Sequence, residues 1–136
     1  MKKILLALLI GTATLGTLSS CTKEYYEMVP SISVIYTREA KDWNTKDPQS
    51  AYLDLNVPEL TNYYVKQGVV NIAISFDGEK TYNALPATID GISYNYDYAT
   101  QSVRIYAQDP IFDGFPVDVP AKAVFKISLT DADWVQ

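Results

Sequence analysis

The sequence predicts an all-β protein, an antiparallel immunoglobulin-like β-sandwich of about seven strands. Three observations predict it. From residue 31 onward, apolar residues recur mostly with period two, the spacing that sends alternate side chains to opposite faces of a strand. Turn-forming residues separate these runs at intervals of about eight to twelve residues. No segment keeps a helical period over three turns. A closed barrel is the alternative arrangement of the same strands.

The first strand starts at Ser31, with Ile32, Val34 and Tyr36 alternating and Ile35 breaking the rule; it can run on towards Trp43. Asn44-Thr45-Lys46-Asp47-Pro48 is turn-rich. Ala51, Leu53, Leu55 and Val57 then share one face against Tyr52, Asp54 and Asn56, and Pro58 ends this strand. Residues 59–67 hold one short helical turn, with Thr61 as N-cap and Gly68 as a left-handed stop. Val70, Ile72, Ile74 and Phe76 alternate again. Asp77-Gly78 follows as a tight hairpin signal, with a return strand from Lys80 to Leu85 that stops at Pro86. Ile92, Tyr94, Tyr96 and Tyr98 form one face, Ala99-Thr100-Gln101-Ser102 a connection, and Val103, Ile105 and Ala107 the returning face. Residues 109–120 are a loop with three of the seven prolines, and Ala123, Phe125, Ile127 and Leu129 close the chain as a strand suited to the interior of a sheet.

Composition narrows the chemistry. The chain has 136 residues, a net charge of −5, one cysteine and no histidine. An acidic chain with no basic patch is a poor partner for nucleic acid. Without histidine there is no Ser-His-Asp triad, no Cys-His pair and little basis for a zinc site. A lone cysteine forms no internal disulfide. The expectation is a non-catalytic protein with no cofactor and no bound metal. The 11 tyrosines suit both strands and binding faces, since each offers a large rigid body with a polar tip.

The first 20 residues read as an export signal: Met1-Lys2-Lys3 is basic, Ile4 to Ile10 is apolar, and small residues follow. The apolar run falls short of the roughly 20 residues that span a bilayer. Leu18-Ser19-Ser20-Cys21 resembles the lipobox of bacterial lipoproteins. The resemblance implies diacylglycerol on Cys21, cleavage before it, and a mature chain of 116 residues held at a membrane by more than one acyl chain. It also explains why an exported protein keeps a single cysteine. Residues 21–30 then form a tether and 31–136 one domain. Thr22-Lys23-Glu24 resembles the surface-export signals of Bacteroidetes lipoproteins. An outer-membrane address follows, facing either the periplasm or the surface.

The domain is also similar to a group of small Bacteroidetes lipoproteins. The matching features are Trp43, Val57-Pro58-Glu59-Leu60-Thr61, Gly68-Val69-Val70, Leu85-Pro86, Val103-Arg104-Ile105 and Phe125-Lys126-Ile127. The chain departs from the pattern at Asp131-Ala132-Asp133-Trp134. What the resemblance implies is a β-sandwich of unassigned role; it carries no catalytic residue to transfer.

Two groups of residues are candidate contact points. Tyr94, Tyr96 and Tyr98 share one face with Ile92, which is a stacking platform if it meets solvent and core if it faces inward; the polar character of Ser93, Asn95 and Asp97 favours core. Phe112 and Phe115 sit in a loop that either presents them to a partner or folds over the sheet. Asp109, Asp113 and Asp118 have oxygen ligands for calcium but no EF-hand spacing, so solvated charge is the expectation. Two functions of different classes follow: a module that binds a glycan or a peptide at the cell envelope, or a structural component of an outer-membrane or fimbria-like assembly whose strand edges meet partners.

Overall fold

The computed structural model describes residues 29–111, 113–133 and 135. Cys21 and Phe112 lie outside the described residues. The described chain forms eight strands: β1 (Ile32–Glu39), β2 (Ser50–Asn56), β3 (Val69–Ser75), β4 (Asn83–Ala84), β5 (Ala87–Ile89), β6 (Ile92–Ala99), β7 (Ser102–Gln108) and β8 (Lys122–Thr130). A 3-10 turn covers Ala40–Asp42, and one short helix, α1, covers Asn62–Lys66. No helix among the described residues is long and apolar enough to cross a membrane.

The strands make two four-stranded antiparallel sheets, β1-β8-β3-β4 and β2-β7-β6-β5. This is the all-β sandwich that the period-two patterning predicts. Its connectivity has its own order: in an immunoglobulin domain the first two strands are neighbours in one sheet, whereas here β1 pairs with β8 and β2 with β7. β8 is central, bonded to β1 along Ile32↔Leu129 through Glu39↔Lys122 and to β3 along Val69↔Thr130 through Ser75↔Val124. Hence its apolar residues Ala123, Phe125, Ile127 and Leu129 are all buried. They meet Leu53, Leu55, Val103 and Ile105 of the other sheet in one core, in which Trp43 packs on Phe125 with ring centroids 6.2 Å apart. The Leu85-Pro86 peptide bond, where the chain leaves β4 for the opposite sheet, is cis.

Three local expectations are corrected. Asp77-Gly78 is not a two-residue hairpin. Only Ala73↔Ala84 and Ile74↔Asn83 pair between β3 and β4, so the return strand shrinks to two residues and a wide loop spans the gap. Asp77 organises that loop: its carboxylate accepts from the Thr81 amide (2.9 Å), the Thr81 hydroxyl (2.6 Å) and the Ser75 hydroxyl (2.9 Å). These bonds hold its pKa down at about 2. The tight hairpin belongs to the second Asp-Gly pair. Asp90 and Gly91 both have positive φ (50° and 79°), as a type I′ turn requires, and they join Ile89 directly to Ile92.

Gly68 is the third correction, because it is not among the residues with positive φ. Its lack of a side chain serves close packing: a Cβ there would stand 2.8 Å from the Thr130 carbonyl oxygen and 2.9 Å from Tyr64 Cα. Thr61 does occupy the N-cap position of α1, in an extended conformation and without a side-chain cap bond.

Candidate functional site

The two ends of the sandwich differ. The chain enters β1 at Pro30, whose carbonyl accepts from the Tyr64 hydroxyl of α1. Tyr63 beside it donates to Asp131, whose carboxylate holds the phenol above its ordinary range. Leu60 and Val57 plug the gap between the sheets at the same end, fully buried and tied to Gln101 by backbone bonds of 2.8 and 2.9 Å. This end is closed.

At the opposite end lie the Phe76–Tyr82 loop, the Asp90-Gly91 turn and residues 109–121. They leave a groove of about 590 Å³ between the sheets. Phe76, Ile89, Ile92, Tyr94 and Val119 form its apolar wall, and Asp90 and Asp118 stand at it. A smaller hollow of about 190 Å³ shares Asp90, Ile92 and Asp118 with it and adds Phe115. Apolar side chains are left uncovered here: Phe76 is 39% exposed, Phe115 72% and Ile111 74%.

Tyr94 forms the groove's inner wall. Its ring contacts Phe76 with centroids 5.7 Å apart. Burial, and then the nearby charges of Asp90 and Asp118, push its phenol up to about 12, because each disfavours a phenolate. Asp109 and Asp113 are spent differently: Asp109 accepts from the amides of Ile111 and Asp113 (3.0 Å each), and Asp113 accepts from the Phe115 amide (2.9 Å). Their carboxylates hold their own loop, which is a structural reason for acids at these positions. Among the described residues there is no group of three or more His, Cys, Asp or Glu able to hold a metal ion.

The tyrosine face is split by depth. Tyr94 is buried. Tyr96 is half-buried, and its hydroxyl crosses the core to the Val70 carbonyl of the other sheet at 2.9 Å. Tyr98, near the closed end, is 38% exposed and stacks on Tyr96 at 6.4 Å. The period-two reading of one shared face holds, and that face points inward, so the three rings do not form a continuous solvent-facing platform. Phe115 is exposed beside the groove. Sequence reasoning did not single out Phe76 and Asp90 for this site, and it read Asp118 only with Asp109 and Asp113, as solvated charge. Asp90-Gly91 carried a usable signal, since it places an acid at a hairpin tip; the approach of Asp118 to Tyr94 left none.

A second polar region covers the outer face of the β2-β7-β6 strands. Register brings Asp54, Arg104 and Asp97 into one row. Arg104 donates to both Asp54 oxygens (2.6 and 2.9 Å), its guanidinium lies 4.2 Å from the centre of the Tyr52 ring, and the Tyr106 hydroxyl donates to Asp97 at 2.7 Å. Asn44 donates to the Tyr52 hydroxyl at 2.7 Å. The Arg104 bond keeps Asp54 below the usual carboxylate range. These groups satisfy one another across the strands, as cross-strand pairs do.

No family model, curated protein or solved structure matches the chain.

Proposed function

We propose that this protein is a lipid-anchored, non-catalytic module of the bacterial outer membrane that binds a glycan or a peptide at the open end of its sandwich. The observation that carries this reading is the groove between Tyr94 and Val119, with uncovered apolar side chains around it, at the end opposite the one where the chain enters at Pro30. Monomeric surfaces seldom leave several large apolar side chains together without a partner. The lipobox at Cys21 supplies the anchor, on either the periplasmic or the surface side. The lack of histidine supports a role in binding.

The test has two parts. Mass spectrometry of the mature N-terminus should find acylated Cys21; an unmodified Cys21 sinks the anchor. A photo-crosslinking residue at Phe115, used in living cells, should capture an envelope component that the same residue at Ser128 does not. Equal capture at both positions, or none at Phe115, removes the binding end.

A second reading rests on β1. It is an edge strand of eight residues, with no pairing on its outer side among the described residues and no charge from Ile32 to Thr37. Such an edge can accept a partner strand, which is how an assembly component would meet its neighbours. Crosslinks through Ser33 or Thr37 between envelope subunits would favour it over the groove.

A further inference from the structure

Resting on the binding-module reading, we infer that the groove takes a peptide segment in which a lysine or arginine stands beside an apolar side chain. Ile89, Ile92 and Val119 give it an aliphatic lining, and Phe76 and Tyr94 meet at a tilt of 54° instead of presenting one flat stacking surface. A sugar ring needs a flat aromatic face and a mixture of donors and acceptors. Here the charged groups are carboxylates, which accept only.

Asp90 and Asp118 are exposed, and both lie close enough to Tyr94 to raise its phenol. The two ion pairs among the described residues, Lys41–Glu39 and Arg104–Asp54, involve neither of them. Lys122 is near in sequence, but it precedes buried Ala123 on β8 and therefore points to the other face of its sheet. The two acids thus keep a local negative charge beside an apolar wall. A lysine or arginine matches that combination within one side chain: its methylenes lie on the aliphatic lining while its charged head reaches the carboxylates. An acidic segment is repelled by the same pair.

The experiment uses the whole protein purified from its membrane in detergent. Three probes are compared: a decapeptide alternating Lys and Val, its Glu-Val counterpart, and maltohexaose. The Lys-Val peptide should bind, perturb the amide resonances of residues 89–94 and 117–121, and weaken as salt is raised. The Glu-Val peptide should bind at least about tenfold more weakly. Asp90→Asn with Asp118→Asn should weaken the Lys-Val peptide about five- to tenfold, the size expected for losing two partly exposed ion pairs. Asparagine tolerates the positive φ of position 90, so the turn is kept. Absence of Lys-Val binding, equal binding of the two peptides, or an unchanged affinity in the double variant overturns the inference. Maltohexaose perturbing the same resonances while the Lys-Val peptide does not overturns it too, and leaves the binding module standing. Silence from all three probes counts against both.

Discussion

At the closed end, Leu60, Tyr64 and Gly68 fit against Pro30, Gln101 and Thr130 with no room to spare, although Glu59 Oε2 is buried there without a hydrogen bond among the described residues. At the open end, Phe76 and Phe115 remain uncovered, and Asp90 and Asp118 lie beside apolar surface without a salt bridge among the described residues. Both ends carry aromatic and acidic residues, so composition does not separate them. What separates them is how completely their apolar side chains are covered. The groove differs in another way from the outer face of β2-β7-β6, where Arg104 already uses Asp54 and Tyr52. Covered apolar side chains contribute more to stability than uncovered ones.

The largest expected effect tests the closed end. Leu60→Ala removes a side chain with no exposed surface and should cost about 3 kcal/mol in urea unfolding, whereas Phe76→Ala should cost under about 1 kcal/mol. If Phe76→Ala proves equally costly, the open end is a structural element and the contrast collapses. Glycine gives the next test. Gly68→Ala should cost about 2 kcal/mol, because its Cβ meets backbone that cannot move aside. Gly78→Ala at the open end has empty space around its Cβ and should cost only about 1 kcal/mol, from its positive φ. Equal losses would mean that backbone conformation, and not packing, limits both ends.

The smallest effect is a pH dependence at the open end. Asp77 has its folded pKa depressed to about 2 from 3.8. Its stabilisation is therefore present above pH 4 and fades as pH falls from about 4 to about 2. Melting temperature measured across that window should fall less steeply in Asp77→Asn than in the unchanged protein. Identical slopes would show that the Ser75 and Thr81 bonds do not favour the carboxylate in solution.

Much of the fold was legible because burial imposes period two on each strand. β2, β6, β7 and β8 were readable from that signal within a few residues. The hairpin at Asp77-Gly78 was misread because the same dipeptide serves two loops, and only the pairing of Ala73 with Ala84 reveals the wider one. Gly68 was misread for a similar reason: its need for space comes from Thr130, far away in sequence. The Tyr94, Tyr96 and Tyr98 face was recognised as a face, but its gradient from buried to exposed depends on what the other sheet covers.

The sequence by itself determined the alternation that makes strands, the Leu18-Ser19-Ser20-Cys21 segment with the only cysteine of the chain, and the composition without histidine. These are local patterns or counts, and they need no knowledge of neighbours. Only the tertiary structure decided which end of the sandwich is closed, that Arg104 pairs with Asp54 beside Tyr52, and that Asp90 and Asp118 both stand near Tyr94. Each of those depends on residues from separate strands or loops arriving at one place, and the spacing of residues along a chain does not encode that arrival.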